Sequence, residues 1–322
     1  MIGGGDPRIG DLLGAALDGD RPPAAVLVGF PSDAGVVRNG GRPGASAGPG
    51  AIREALAAMT PDARRHDEMS ALLARTRDLG DVDVSGEVAE DQERLAEALA
   101  PHLEAGRPCV VLGGGHETAY GHFLGHVRAG LEPRALNVDA HPDVRPLRDG
   151  RGHSGSPFRQ MLEHPSGACR GYRVVGLQPA ATARSHLGWL EQAGASWRWR
   201  KDLDAAAREA TAPDAAAPDA RPRDATALEE EVDRLEGPAL VSLDLDAVDA
   251  AHAPGVSAPC TDGIGPGPWL AAASRAGARP EVRSLDVVEL NPRHDVDGRT
   301  ARLAARTVWS FLRGLTLRDG EG

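Results

Sequence analysis

Six short apolar runs recur along the chain, and stretches with helical spacing lie between them. The runs are "AAVLVGF" (24–30), "CVVLGG" (109–114), "ALNVDA" (135–140), "YRVVGL" (172–177), "ALVSLDL" (239–245) and "VRSLDVVEL" (282–290). Runs of this length bounded by turn residues read as strands buried on both faces. "GPGAIREALAAM" and "EDQERLAEALAPHLEAG" carry the helical pattern. In the second, Leu95, Leu99 and Leu103 recur at fourfold spacing among charged residues, and Gly106 ends the pattern. Strands alternating with helices predict an α/β fold with a parallel sheet covered on both faces. Ligands in such sheets bind beyond the carboxyl ends of the strands.

The 322 residues fit one large α/β domain or two small ones. One segment breaks the alternation. "DAAAREATAPDAAAPDARPRDATA", about 204–227, is rich in Ala, Pro, Asp and Arg and offers little for a core. It reads as a mobile surface insertion, or as a plain helix in its first half with a Pro-rich end.

The formal net charge is -11, and Arg supplies most of the positive charge. No basic block is present, which argues against general nucleic-acid binding. Cys109, Cys169 and Cys260 are scattered and form no C-x-x-C pair, so a secreted disulfide scaffold is not expected. The N-terminus lacks a basic start followed by a long apolar core, and no apolar run reaches the roughly 18 residues of a membrane span. The expectation is a soluble protein of a reducing cytoplasm, with no membrane partner.

The ends of the apolar runs carry the chemistry. "NVDAHPD" places Asp139, His141 and Asp143 at alternate positions. An extended chain would point all three to one face, where the carboxylates repel and resist burial unless a cation joins them. "VVLGGGHE" ends in His116, "ALVSLDLD" ends in Asp244 and Asp246, and "LDVVELNP" ends in Glu289, Asn291 and Pro292. Taken alone, His116 reads as a turn histidine and "DLD" as a helix cap or solvated strand end. Taken together, His116, Asp139, His141, Asp143, Asp244 and Asp246 form a ligand set. Two divalent cations would balance its four carboxylates. Such a set favours hard or borderline ions, and Mn²⁺ fits, although Co²⁺, Ni²⁺ or Zn²⁺ can enter the same donors. Its lack of cysteine argues against structural zinc. Two metal ions about 3.5–4 Å apart can activate a shared water near neutral pH.

"GGGHE", "DAHPD", "SLDLDAVDAAHAPGVSAP" and "ELNPRHDVDGRTARLAA" resemble the signature segments of the ureohydrolase family, which includes arginase, agmatinase and formimidoylglutamase. The resemblance runs from about Val26 to Trp309. Within the family, "VGFPSDAGVVRNGGRPGASAGPGAIREAL" and "DVRPLRDGRGHSGSPFRQMLE" are most similar to the formimidoylglutamase branch. The resemblance implies an arginase-like three-layer α/β/α sandwich around a mainly parallel sheet, forming a single catalytic domain. It implies hydrolysis of N-formimidoyl-L-glutamate to L-glutamate and formamide in histidine degradation, with two manganese ions per chain. It also implies a homo-oligomer, trimer or hexamer.

Carried over by residue, one metal falls to His116, Asp139, Asp143 and Asp244. The other falls to Asp139, His141, Asp244 and Asp246, so that Asp139 and Asp244 bridge. Glu289 matches the glutamate that faces the nitrogen-bearing carbon of the substrate. Asp246 is the candidate for proton transfer to the leaving nitrogen. Aligning "SGSP" puts Ser154 where arginase and agmatinase carry a proton-shuttling histidine. His153, one place away, is the neighbouring candidate. The substrate bears two carboxylates, so Arg42, Arg145 and Arg159 are candidate clamps, with Asn39 as a further donor. His122, His126, His252 and His294 lie near the motifs without an assigned role. Other readings are a ureohydrolase acting on arginine or agmatine, a binding protein with a structural metal pair, and a one-zinc deacetylase on a related fold.

Overall fold

The computed structural model describes residues 7–17, 22–209 and 223–318. Within them, eight parallel strands form one sheet in the order β2-β1-β3-β8-β7-β4-β5-β6. The strands are β1 (Ala25–Phe30), β2 (Thr76–Asp81), β3 (Cys109–Gly113), β4 (Arg134–Val138), β5 (Gly171–Leu177), β6 (Ser196–Trp199), β7 (Ala239–Asp244) and β8 (Val282–Val288). Six of them coincide with the apolar runs.

Alternation along the strands feeds two separate cores. Ala25 and Leu27 of β1 and Val110 and Leu112 of β3 face one layer of helices. That layer includes Gly48–Ala57, His66–Ala74, Pro266–Ala278 and Arg299–Leu315. Val26, Val28 and Phe30 of β1 and Cys109 and Val111 of β3 face the other side, against Leu95, Leu99 and Leu103 of helix Val88–Glu104. Helices Thr118–Arg128, Pro157–Leu162 and Arg184–Gln192 complete that layer through Phe123, Phe158 and Leu190. A strand buried on both faces needs apolar residues at every position, which is why these strands appear as unbroken runs. Each fully buried Leu, Val or Phe contributes about 1.5–3 kcal/mol of transfer free energy, so both helical layers are held chiefly by this burial.

The expected three-layer α/β/α arrangement is therefore present. The two unanticipated strands, β2 and β6, are the sheet edges. β2 reads "TRDLGD" and β6 reads "SWRW", and neither contains an apolar run. In β2, Asp78 accepts from Arg53 Nε at 2.8 Å, and Asp81 also pairs with Arg53. An edge strand has one hydrogen-bonded neighbour and tolerates such polarity.

Helices occupy both ends of the expected 204–227 insertion. One is Arg200–Glu209 and the other Arg223–Asp233. Leu203, Leu228 and Val232 join the core, so the flanks are part of the helical layer. The remainder of the expected insertion, 210–222, lies outside the described residues. No helix among those described is long and apolar enough to cross a membrane.

Candidate metal centre

The sheet order sets β3, β8, β7 and β4 side by side. Their carboxyl ends deliver His116, Glu289, Asp244 with Asp246, and Asp139 with His141 and Asp143, so residues up to 173 positions apart meet. Glycine makes the first of these exits possible. A Cβ on Gly114 would lie 1.9 Å from the Ser32 carbonyl oxygen, and one on Gly35 would lie 2.4 Å from Glu117 Cδ. The turn after β3 thus packs against the turn after β1 at backbone distance.

The alternate spacing of the ligands works differently from the pleat expected for an extended chain. β4 ends at Val138, before Asp139, and Asp246 lies in a 3₁₀ turn, Leu245–Ala247. The same Asx-type turn closes both motifs. Asp139 Oδ1 accepts from His141 N–H at 2.7 Å, and Asp244 Oδ1 accepts from Asp246 N–H at 2.8 Å. Each turn swings the second side chain back beside the first. Asp143 and Glu289 complete the convergence in the left-handed region, at φ 46° and 67°. That conformation is costly for non-glycine residues and concentrates at functional sites.

Two donor groups result. His116, Asp139, Asp143 and Asp244 form one, and Asp139, His141 and Asp246 form the other. Asp139 belongs to both, whereas Asp244 falls in the first only. His116 Nδ1 lies 2.9 Å from Asp143 Oδ2, 2.8 Å from Asp244 Oδ2 and 3.4 Å from Asp139 Oδ2. His141 Nδ1 lies 3.1 Å from Asp246 Oδ2 and 3.5 Å from Asp139 Oδ1. Among the described residues, no Arg or Lys pairs with these four carboxylates.

The electrostatics are those of a site short of positive charge. Burial, then the charges of Asp246 and Asp139, push the Asp244 carboxyl well above its usual range. Burial pushes Asp246 up to about 6 against the opposing pull of His141. Burial, then Asp246 and Glu117, push Glu289 up to about 8. The negative charge of Asp246 raises His141 despite burial, while burial of His116 is outweighed by Asp244 and the neighbouring carboxylates. His116 Nδ1 and Asp246 Oδ1 are buried without a hydrogen-bond partner. A lone pair and carboxylate oxygens aimed at one point suit a divalent cation, and the all-oxygen-and-imidazole donor set suits an ion such as Mn²⁺.

The groups open into a cavity of about 290 Å³. Asn39, Arg42, Arg145, Ser154 and Glu289 line it alongside the acidic residues. Asn39 Oδ1 accepts from Arg145 at 3.2 Å, and its Nδ2 donates to Ser154 Oγ at 3.1 Å. Arg145 has no carboxylate partner among the described residues. Arg42 is already engaged: it donates to the Ser257 carbonyl at 3.0 Å and to the Val256 carbonyl. Arg159 is not in the cavity lining. It pairs with Glu163 at 3.1 Å and lies over Trp189 at 4.8 Å. His153 also lies outside the lining. Its Nδ1 accepts from Gly155 N–H at 3.1 Å, which leaves Nε2 to donate to the Pro146 carbonyl at 3.0 Å. Both ring nitrogens are thereby committed to backbone, and the group facing the cavity at this point is the Ser154 hydroxyl.

Several supporting residues carried no signal in the sequence. Asn137 Nδ2 donates to Asp139 Oδ2 at 2.9 Å, and Tyr172 donates to the Pro142 carbonyl at 2.8 Å. Phe158 stacks on Tyr172 at 4.4 Å and meets His116 edge-on at 5.3 Å. Glu117 accepts from Gly35 N–H at 2.7 Å, and burial pushes its carboxyl up to about 7.

A sequence profile of the arginase family matches residues 23–313. A formimidoylglutamase of Nocardia farcinica (strain IFM 10152) is 41% identical over 300 residues, spanning 90% of this chain and 86% of that protein. A formimidoylglutamase of Geobacillus thermodenitrificans (strain NG80-2) is 36% identical over 302 residues, spanning 92% and 86%. The crystal structure of Trypanosoma cruzi formiminoglutamase with Mn²⁺ superposes with a TM-score of 0.84 at 28% identity, covering 98% of this chain and 100% of that one. With the matched profile spanning all four strand ends that build the centre, the chain belongs to the arginase family.

Proposed function

We propose that this chain is a binuclear manganese hydrolase that converts N-formimidoyl-L-glutamate and water to L-glutamate and formamide. The observation that carries the reading is the cavity itself. Its floor holds His141, Asp143, Asp244 and Asp246 from the two donor groups, and its wall holds an Arg145 guanidinium free of carboxylates. The formimidoylglutamases among its relatives act in the same direction.

Two divalent cations held by these donors supply Lewis acidity and a water of lowered pKa. The protein's own groups do the rest. Glu289 Oε1 is fixed by His116 N–H at 2.8 Å, which leaves its other oxygen for the cationic N–C–N group of the substrate. A bound cation there favours the ionised carboxylate that burial opposes. Water oxygen adds to the amidine carbon, and the bond from that carbon to the glutamate nitrogen breaks. Asp246 lines the cavity with an unpartnered oxygen, so it is the group to hold the water's proton and return it to that nitrogen. The second hydrolysis product is formamide.

The substrate's carboxylates fall to Arg145 and Asn39. Arg42 shapes the rim by holding residues 256 and 257, and contributes through its remaining donors. Arg159 and His153 stand behind the cavity wall and act on its shape. The single sheet favours one catalytic domain. The same family reading carries a homo-oligomer, trimer or hexamer, and the sparse, unpaired cysteines favour a reducing cytoplasm.

Purified protein loaded with manganese is assayed with formimidoylglutamate, arginine and agmatine, alongside Arg145→Met. The expected order puts formimidoylglutamate first, and Arg145→Met raises its KM by about 10–100-fold, the worth of a charge-assisted hydrogen bond. Faster urea release from arginine or agmatine overturns the substrate assignment.

A further inference from the structure

A line of buried polar side chains runs from His116 away from the cavity, through the sheet and into helix Thr118–Arg128. His116 Nε2 lies 2.9 Å from Ser242 Oγ, and Ser242 donates to Asp286 Oδ1 at 2.6 Å. Asp286 Oδ2 lies 2.7 Å from His122 Nδ1. His122 Nε2 and His126 Nε2 converge on Ser284 Oγ at 2.5 and 2.7 Å. His116 is 1% exposed, and Ser242, Asp286, His122, Ser284 and His126 are each 0% exposed.

Burying so many polar groups together is tolerable only if donors and acceptors alternate consistently. One assignment satisfies the cavity end. His116 Nδ1 is the atom that faces Asp139, Asp143 and Asp244, so it must keep its lone pair to serve a cation. The ring proton then sits on Nε2 and is donated to Ser242 Oγ. That hydroxyl has one hydrogen, and the carboxylate of Asp286 takes it, being acceptor-only. Without that acceptor the hydroxyl is free to turn and donate to His116 Nε2. The ring proton would then move to Nδ1 and cover the lone pair. His122 holds the second oxygen of Asp286 and so keeps the carboxylate aimed at Ser242.

We propose that Asp286, acting through Ser242, is a positioning residue that fixes the tautomer of His116 and thereby the affinity of the one metal position His116 serves. This rests on the binuclear metal reading above. It gives His122 a task that the reaction itself does not require.

The test is Mn²⁺ titration of metal-stripped protein with a competing chelator, resolving the two sites. Ser242→Ala and Asp286→Asn are each expected to weaken one site by about 10–100-fold, the usual effect of losing a group that orients a histidine ligand. The other site stays near its original affinity. Ser242→Thr, which keeps the hydroxyl, returns the weakened site toward the original value. A merely structural role would lower the melting temperature and leave the affinity ratio of the two sites unchanged, and that result overturns the proposal. Equal loss at both sites overturns it too. If Asp286→Asn does not fold, Ser242→Ala decides, since it leaves the Asp286–His122 pair intact. Failure of the unsubstituted protein to bind two ions would instead remove the metal reading.

Discussion

Asp139→Asn is expected to lower kcat/KM for formimidoylglutamate by about 10³-fold or more and to deplete both metal positions. Asp139 is the one residue common to the two donor groups. The amide keeps the shape but removes the charge, and its nitrogen presents hydrogens where acceptors are required. A metal centre contributes several kcal/mol to the transition state, and each 1.4 kcal/mol is tenfold in rate. Steady-state kinetics and elemental analysis of the same preparation check the result. The stability of the ion-free variant separates function from structure. In the ion-free chain the contacts with His116 and His141 outweigh burial and hold the Asp139 carboxyl well below its usual range, so its charge is stabilising and removing it costs stability. The ion-free variant should therefore melt below the ion-free parent, and kinetics and metal content are read well below that midpoint. Activity within tenfold of the parent would contradict the shared role.

Glu289→Gln is expected to lower kcat/KM by about 10²–10³-fold while both ions remain. Glu289 is outside both donor groups, and its position is set by the His116 N–H and by a left-handed backbone. Gln can still accept that N–H. Its other terminus, however, can turn an amide NH₂ toward a substrate cation that needs an acceptor. The lost charge-assisted hydrogen bond accounts for about 1.5–3 kcal/mol, and misplacement of the amidine adds to it. Kinetics with parallel metal analysis distinguishes two outcomes. Loss of rate with full metal content supports contact with substrate. Parallel loss of metal would move Glu289 into the ligand set.

The sequence made the centre of this molecule legible because its physical constraints are local. A strand buried on both faces must be apolar throughout, so the six inner strands could be read directly. A carboxylate cluster at their ends needs an ion, so Asp139, Asp143, Asp244 and Asp246 also stood out. The edge strands β2 and β6 escaped because Arg77, Asp78 and the short "SWRW" satisfy edge requirements and leave no apolar trace. The way the ligands converge escaped as well. Alternate spacing suggested a pleat, but the chain uses two Asx turns and two left-handed residues, which no periodicity encodes. The Arg roles were the least legible. Arg42, Arg145 and Arg159 look alike in sequence, yet one is tied to backbone carbonyls, one opens to the cavity and one pairs with Glu163. Those differences arise from partners 30 to 215 positions apart, or from Glu163 just past the end of the same helix, which a motif does not record. Ser242 and Asp286 were hidden inside apolar runs for the same reason.

The measurement closest to the central claim is anomalous diffraction at the manganese edge from crystals grown with excess Mn²⁺. Two peaks are predicted, one against His116 and Asp143 and one against His141 and Asp246, with Asp139 reaching both. A map without peaks at these side chains, or with a single one, would contradict the account.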